Sequence, residues 1–266
     1  MQLLRNIPEV LPQPCVATIG FFDGVHRGHR YLIEQVREVA VVHGFASGVV
    51  TFPVHPRKVV QPEYHPELLT AYEEKVALLA ETGLDYCMML DFTPEVAILS
   101  AKEFMLFLYN HYNIRALVIG YDHRFGHNRS EGFDDYVRYG QELGIEVILA
   151  HAYIDKDVAV SSSVIRQLLS EGNVSEAASC LGYDYFLNGI VVSGYRVGRK
   201  IGFPTANLRV DDPDKLVPSD GVYAVRVTVA GQSYGGMLSI GYRPTMANGT
   251  DPVSYTHLRA HETDSY

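Results

Sequence analysis

Two histidines lie three residues apart where an apolar run gives way to a helical pattern. The stretch GFFDGVHRGH, residues 20–29, contains His26 and His29 with Gly28 between them. Imidazole N–H groups and the N–H groups of a helix's first turn both donate hydrogen bonds to anions, and glycine lets a nucleotide approach the backbone. This order of features favours a phosphate site over two surface histidines. The spacing could also suggest a metal, but no third ligand candidate lies nearby in the sequence.

Two further clusters offer groups of the same kind. The loop GYDHRFG begins at Gly120, directly after an apolar run, and contains Asp122. A solvated loop is the ordinary explanation, but ligands of parallel sheets bind beyond the carboxyl ends of the strands. The second cluster is Ser161–Ser163, followed by Arg166 about one turn into a helical pattern. Capping explains one serine, whereas three serines with a forked arginine donor favour a polyphosphate site.

A fourth motif, GRKIGFPTANL, lies at residues 198–208. Arg199 and Lys200 supply positive charge, and the glycines permit close backbone approach. Thr205 and Asn207 are two residues apart, so in a strand their oxygens face the same side. Such oxygens suit a magnesium ion shared with nucleotide phosphates.

Strand and helix patterns alternate through the first two-thirds of the chain and must position these motifs. Short apolar runs are typical of buried strands, and the segments between them place apolar residues three and four apart, as amphipathic helices do. Gly44, Gly83 and Gly144 follow helical patterns where a left-handed cap is expected. Such alternation predicts an α/β domain with a mainly parallel sheet. The predicted strands are Cys15–Gly20, Ser47–Phe52, Tyr86–Phe92, Ala116–Gly120 and Glu146–Ala150.

The pattern changes from Tyr185 onward. Glycines now separate β-rich runs, and YAVRVTV and YGGMLSI flank AGQS, which predicts a hairpin. We therefore expect one domain over residues 1–184 and a separate small antiparallel barrel or sandwich after it.

Composition narrows the class of protein. The 266-residue chain has a formal net charge of −9, which argues against a nucleic-acid binder because such proteins need a basic face. Its three cysteines are far apart, so neither a disulfide framework nor a zinc cluster is indicated. The N-terminus lacks the apolar core of a signal peptide, and no apolar run approaches the ~20 residues of a membrane span. We expect a cytoplasmic protein with small-molecule partners.

Taken in order, the motifs resemble those of the bacterial bifunctional riboflavin kinase/FMN adenylyltransferases, also called FAD synthetases. The resemblance is carried by GFFDGVHRGH, TFPVHP, GYDHRFG, SSSVIR, GRKIGFPTANL, GVYAV and IGYRPT, and it extends to about Thr250. The ordered set is specific, although no single motif is. It implies a Rossmann-like nucleotidylyltransferase domain with a parallel sheet, followed by a riboflavin kinase β-barrel.

By this resemblance the first domain transfers AMP from ATP to FMN, giving FAD and pyrophosphate. The family's His-x-Gly-His signature implies that His26 and His29 contact the phosphates. Arg166, with the serines, would hold the departing pyrophosphate, and Asp122 would lie near the nucleotide and the flavin phosphate. The family has an aromatic residue where this chain has His123, to which no role is assigned. The other implied binding residues of this domain are Gly20, Phe21, Phe22, Asp23, Gly28, Ser161, Ser162, Ser163 and, on the flavin side, His55 and Pro56.

The second domain resembles riboflavin kinase, which phosphorylates riboflavin with ATP and Mg²⁺. Thr205 and Asn207 match its metal and nucleotide positions, and its nucleotide loop is matched by Gly198, Arg199 and Gly202. The family's catalytic glutamate follows a motif of the form RPT…TD, whereas this chain runs TDPVSYTHLRAHETDSY.

The tail departs from the pattern of the family, which continues with a strand, further barrel elements and a closing helix. VSYTHLRAHET back-translates onto a common sequencing-library adapter. We therefore predict that residues 253–266 are non-native, that residues 185–252 form an incomplete barrel, and that this chain has little or no kinase activity.

Two alternatives remain open. One is another small-molecule adenylyltransferase, acting on phosphopantetheine or a pyridine mononucleotide, although GRKIGFPTAN has no place in those enzymes. The other is a flavin or nucleotide sensor that binds its ligand without turnover. Measuring turnover together with binding separates an enzyme from a sensor.

Overall fold

The computed structural model describes residues 1–5, 10–120, 123–155, 158–193, 206–241 and 259–261. The chain divides into two units. The first consists of Met1–Val164 with Cys180–Gly182, and the second of Ile165–Ser179 with Tyr183–Tyr266. The domain boundary expected after residue 184 stays a prediction.

A six-stranded parallel sheet forms the centre of the first unit. Its order is β1-β4-β3-β2-β5-β6, and every neighbouring pair runs parallel. β2 and β3 are buried at every residue, as expected when helices cover both faces. The predicted α/β class is confirmed, whereas β1, a short edge strand with only one buried residue, was not predicted. The strands are β1 Gln2–Arg5, β2 Cys15–Ile19, β3 Ala46–Thr51, β4 Tyr86–Met89, β5 Ile114–Ile119 and β6 Glu146–Leu149.

The strand order determines where a ligand can bind. From β2 the chain proceeds through β3 to β4, then returns to place β5 on the other side of β2. In open sheets of this kind the connections on the two sides of the reversal diverge and leave a crevice beyond the carboxyl ends of the strands. The loop after β2 ends at His26, and α1, which follows it, contains His29. The GYDHRFG motif begins directly after β5.

Six helices of the first unit connect these strands. Gly44, Gly83 and Gly144 have φ of 66°, 77° and 72°, so all three glycines expected at helix ends lie in the left-handed region. The apolar face of α5 packs on the sheet through buried residues such as Phe104 and Leu108. The helices are α1 Arg27–His43, α2 Pro56–Val60, α3 Tyr72–Ala80, α4 Pro94–Ala97, α5 Ala101–Tyr112 and α6 Phe133–Leu143.

Short antiparallel pairings follow. Strands β7 and β8 pair with each other, as do β9 and β10. The predicted hairpin is confirmed: β11 and β12 pair over nine residues each, and Ala230 and Gly231 take the positive φ values, 48° and 81°, that a tight hairpin turn requires. Within the predicted non-native segment, β13 pairs with β12, and the origin of that segment stays a prediction. The elements are β7 Ile154–Asp155, β8 Val158–Ala159, α7 Ser162–Ser170, α8 Val174–Leu181, β9 Gly189–Val192, β10 Asn207–Val210, β11 Gly221–Val229, β12 Gln232–Ile240 and β13 Arg259–His261.

Within the described ranges, no helix combines the length and apolar character needed to cross a membrane.

Candidate active site at the carboxyl edge of the sheet

His26 caps the first turn of α1. Its Nδ1 atom accepts a hydrogen bond from the backbone N–H of His29 at 3.3 Å. A ring nitrogen that accepts carries no proton, so the neutral ring is protonated on Nε2. Only 4% of the residue is exposed. His26 therefore provides a fixed N–H donor at the positive end of the helix.

The ring of His29 stacks on the ring of His26. Their centroids are 3.6 Å apart with 19° between the planes, and the ring of Phe22 meets His29 edge-on at 5.2 Å. Burial lowers the pKa of His29 well below 6.5, and the charges of His26, His123 and Lys75 lower it further. Its Nδ1 atom is buried with no hydrogen-bond partner in the described part of the chain. At pH 7 His29 is thus a neutral imidazole with hydrogen-bonding capacity left for a ligand.

The backbone between β2 and α1 adopts unfavourable conformations. The φ angle is 56° at Phe22, 79° at Gly24 and 35° at Val25. A residue other than glycine costs about 1–3 kcal/mol in this region, and a β-branched valine is a particular outlier. Contacts from elsewhere must therefore hold this loop, residues 20–26, which positions both histidines and which we call the histidine loop.

Asp23 supplies most of those contacts. Its Oδ1 atom accepts hydrogen bonds from the backbone N–H of Leu69 at 2.9 Å, from the N–H of Thr70 at 3.1 Å and from the Thr70 hydroxyl at 3.3 Å. Oδ2 lies 3.1 Å from the same Leu69 nitrogen, and the Gly24 N–H donates to the Thr70 hydroxyl oxygen at 3.1 Å. The carboxylate, 3% exposed, is directed at the main chain before α3. Its expected part in ligand binding stays a prediction, and the contacts described are those of an anchor.

The same loop is held from α1 and from the start of α7. Arg30 Nε donates to the carbonyl oxygen of Val25 at 3.3 Å. The hydroxyl of Ser162 donates to the carbonyl oxygen of Asp23 at 3.0 Å. The loop is therefore fixed by groups from three separate segments, two of them distant in the sequence.

Close contacts explain why residue 28 is a glycine. A Cβ atom there would lie 3.2 Å from two ring atoms of His26 and 3.3 Å from the carbonyl oxygen of Val160. At Gly20 a Cβ would lie 3.1 Å from the ring of Phe22. Both glycines thus leave room for the rings that line the loop.

The serine cluster divides its roles. Ser161 Oγ accepts the backbone N–H of Val164 at 3.3 Å and caps α7. Ser162 holds the histidine loop, as described above, whereas Ser163 is exposed. Arg166 follows Ser162 by four residues and so shares its helix face. Arg166 belongs to the second unit, and its role toward the phosphates stays a prediction.

Aromatic rings lie beyond the ends of β2 and β3. The rings of Phe21 and His55 meet edge-to-face at 4.8 Å, and the ring of Tyr64 is 5.5 Å from that of His55. His55 Nδ1 accepts the backbone N–H of Arg57 at 3.2 Å and caps α2, whose first residue is Pro56. We call the partly exposed residues Phe21, His55 and Tyr64 the aromatic row.

Lys75 is a buried cation beside the site that was not predicted from the sequence. It is 2% exposed and donates from Nζ to the carbonyl oxygens of Phe52 at 2.7 Å and Phe21 at 3.2 Å. Burial lowers its pKa to about 8. A signal was present, because Lys75 shares the apolar stripe of α3 with the buried Leu78 and Leu79, three and four residues on. A lysine in such a stripe needs a specific set of partners.

The loop after β5 contributes a third imidazole. Tyr121 and Asp122 lie outside the described residues, so the role expected of Asp122 stays a prediction. The backbone N–H of His123 donates to the carbonyl oxygen of Gly120 at 3.0 Å. His123 lies close enough to His29 for its charge to lower that residue's pKa. The loop after β5 thus lies close to the first turn of α1 at the switch point of the sheet.

Of the ligand residues predicted in the motif GRKIGFPTANL, the structure describes one. Asn207 begins β10 and is 6% exposed, and its Oδ1 atom has no hydrogen-bond partner among the described residues. A buried amide oxygen is unfavourable unless it is satisfied, and an oxygen of this type is a ligand for Mg²⁺. The remaining predicted residues, Gly198, Arg199, Gly202 and Thr205, lie outside the described ranges.

A cavity of about 510 Å³ lies away from these groups. Its lining includes Ser47 near the start of β3 and Asp85 just before β4, which places it at the amino edge of the sheet. There the Asp85 carboxylate accepts the N–H and the hydroxyl of Ser47, each at 2.8 Å. The cavity is therefore separate from the histidine site.

Two family models match the chain. The model described as FAD synthetase matches residues 9–164, and the model described as riboflavin kinase matches residues 181–266. The first range contains the histidine loop, and the second contains Asn207.

Individual relatives agree with these matches. A bifunctional riboflavin kinase/FMN adenylyltransferase from Escherichia coli strain K12 is 36% identical over 252 residues, which cover 93% of this chain and 80% of that protein. One from Pseudomonas fluorescens is 36% identical over 267 residues, covering 99% and 84%. A crystal structure described as a macrolide-efflux protein from Streptococcus pneumoniae matches with a TM-score of 0.84 at 30% identity, covering 99% of this chain and 86% of that chain. Its description as an efflux protein has no counterpart in the two family models. The chain belongs to the family of bifunctional riboflavin kinase/FMN adenylyltransferases.

Proposed function

We propose that the first unit transfers AMP from ATP to FMN, which yields FAD and pyrophosphate. The observation that carries the proposal is the stacked pair His26 and His29 at the N-terminus of α1, placed at the switch point of the sheet. The match of residues 9–164 to the FAD synthetase model supports it.

The reaction requires that FMN and ATP are aligned and that the negative charge on their phosphates is neutralised. A phosphate oxygen of FMN attacks the α-phosphorus of ATP, and the bond from that phosphorus to the pyrophosphate oxygen breaks. No covalent intermediate on the protein is required. His26 donates from Nε2 and His29 from its own ring N–H to the phosphate oxygens, assisted by the N–H groups of α1. Because burial keeps His29 neutral, it binds first as a hydrogen-bond donor, and the negative charge of ATP then raises its pKa.

Other residues take the remaining parts of the substrates. We assign the departing pyrophosphate to Arg166 with the cluster Ser161–Ser163, of which Ser163 is exposed. We assign the flavin side to His55 and Pro56, and Asp122 to the neighbourhood of the two phosphates. This assignment follows the family resemblance. Asp23 contributes through the loop that it anchors.

We propose riboflavin phosphorylation by ATP as the function of the second domain in the family, supported by the match of residues 181–266. The FMN formed would be the substrate of the first unit. The residues fit a magnesium ion, because the buried Asn207 Oδ1 has no partner among the described residues. Asn207 and Thr205 would hold the ion, which neutralises phosphate charge when bound.

We place both reactions in the cytoplasm, where ATP is at hand, with small molecules as partners. The net charge of −9 speaks against nucleic acid as a partner.

The test is FAD formation from FMN and ATP by the purified chain, followed by chromatography together with release of one pyrophosphate per FAD. We expect His29→Ala to lower the rate about 100-fold or more, as loss of a preorganised donor does. The matched control is His111→Ala, because His111 is exposed at the end of α5. FMN binding without any FAD would favour the sensor alternative. FAD formation at the wild-type rate by His29→Ala would refute the assignment of the site.

A further inference from the structure

The ammonium group of Lys75 is fully engaged inside the protein. Two of its hydrogen bonds go to the carbonyl oxygens of Phe52 and Phe21, at 2.7 and 3.2 Å. In addition, Nζ lies 3.9 Å from the centroid of the Phe21 ring, within the range of a cation–π contact. A buried cation needs such partners. Lys75 therefore acts on other residues and does not reach out to a substrate.

These contacts connect three segments beside the site. Phe21 follows β2, Phe52 follows β3, and Lys75 projects from α3. The carbonyl oxygen of Phe21 also accepts the hydroxyl of Thr51 at 3.2 Å. Since the residues before α3 anchor Asp23, α3 and the segment before it hold both ends of the segment 21–23.

The ring of Phe21 leads from this clamp to the aromatic row. Lys75 Nζ contacts the Phe21 ring, and the same ring meets His55 edge-to-face. The row is partly exposed, and aromatic side chains bind flat ring systems by stacked and edge-on contacts. We infer that Lys75 is a positioning residue for FMN, because it sets Phe21 and thereby His55 for contact with the flavin ring. This inference rests on the proposed adenylyl transfer.

The charge of Lys75 provides a readout that a purely structural lysine would not. Its pKa is about 8, because burial outweighs the opposing effects of Asp23 and Cys87. The Cys87 thiol has a pKa raised to about 11, and that of His29 lies well below 6.5. Of Lys75, Cys87 and His29, Lys75 is therefore the group whose charge changes near pH 8. Loss of its charge weakens the contact with Phe21.

The experiment measures KM for FMN and for ATP, and kcat, in the wild-type chain and in Lys75→Met, Lys75→Arg and Lys102→Met. Methionine keeps the length of the side chain but donates nothing, and arginine restores donors and a charge that does not titrate. Lys102, on α5, is the control because its ammonium is half exposed and pairs with Glu142.

We expect Lys75→Met to raise KM for FMN about tenfold, the effect of losing about one buried hydrogen bond. KM for ATP should stay within about twofold, and Lys75→Arg should recover part of the loss. In the wild type, KM for FMN should rise between pH 7 and about 9, and this rise should be absent in both Lys75 variants.

Equal changes in both KM values, or an unchanged KM for FMN in Lys75→Met, would overturn the inference. If Lys75→Met does not fold, the comparison of wild type with Lys75→Arg decides, since a rise in KM near pH 8 in both would also overturn it. A wild-type chain that makes no FAD refutes the proposed function, and the inference falls with it. If the wild-type chain makes FAD but the KM values behave in one of the ways that overturn the inference, only the role of Lys75 is refuted and the proposed function stands.

Discussion

Removal of the Asp23 carboxylate is the sharpest test of how the histidine loop is held. Asp23→Ala deprives the N–H groups of Leu69 and Thr70 of their acceptor, and it also removes the acceptor of the Thr70 hydroxyl. All of these groups are buried. If Asp23 served only to contact a substrate, its removal would lower activity and leave the free energy of unfolding unchanged.

The structure sets the size of the effect. Each buried donor left unsatisfied costs about 1–3 kcal/mol. Two backbone donors therefore cost about 2–6 kcal/mol, and relaxation of the strained φ angles at Phe22 and Val25 returns part of this. We expect a net loss of about 2–4 kcal/mol. Asp23→Asn keeps Oδ1 but turns an amide N–H toward Leu69, so its loss should be about 1 kcal/mol.

The assay is urea unfolding of the full chain, followed by far-ultraviolet circular dichroism, with FAD formation measured in parallel. The control is Asp91→Ala, because Asp91 forms a partly exposed pair with Arg5 at 3.4 Å and should cost less than about 1 kcal/mol. We expect Asp23→Ala to lose FAD formation and stability together. Wild-type stability in Asp23→Ala would show that the anchoring argument is wrong.

Two further predictions concern the buried lysine and the second domain. Because the native pKa of Lys75 is about 8 and its ordinary value is 10.5, unfolding takes up a proton between these values. The free energy of unfolding of the wild type, relative to that of Lys75→Met, should therefore rise by up to about 3 kcal/mol between about pH 8 and about pH 10.5. Urea unfolding at several pH values measures this difference, and a difference that does not change with pH would contradict the prediction. Chromatography of reactions supplied with riboflavin, ATP and Mg²⁺ should show little or no FMN from this chain, since the stretch that directly follows TDP, VSYTHLRAH, contains no glutamate. Appreciable FMN would overturn that expectation.

Local pattern predicted most of the first unit correctly. The buried strands β2 to β5, the amphipathic helices and the left-handed glycines at 44, 83 and 144 follow from periodicity and capping, which depend on residues a few positions apart. The prediction that β6 is buried was wrong, because β6 is an edge strand and none of its four residues is buried. The same holds for the β11–β12 hairpin. The edge strand β1 was missed because its partner β4 begins more than eighty residues later and only Leu4 of the strand is buried.

The order of the motifs predicted which histidines form the candidate site, but not their hydrogen bonds or their protonation. Residue types and order identified His26 and His29, and the switch point in the sheet explains why the loop after β5 lies close to the first turn of α1. The sequence could not show that His26 Nδ1 accepts the N–H of His29, nor that burial keeps His29 neutral. Those properties depend on how neighbouring elements exclude water.

What the sequence by itself determined was the α/β class, the family and the positions of the motifs for which we predict phosphate binding. The tertiary structure decided what supports them. It paired Asp23 with residues 69 and 70, and it directed Lys75 at the carbonyl oxygens of Phe21 and Phe52. From the sequence alone, an acidic residue in a predicted phosphate motif or a lysine in an apolar stripe could bind either a ligand or another part of the protein. Folding brings segments more than twenty residues apart into contact, and only then do these charges acquire their partners.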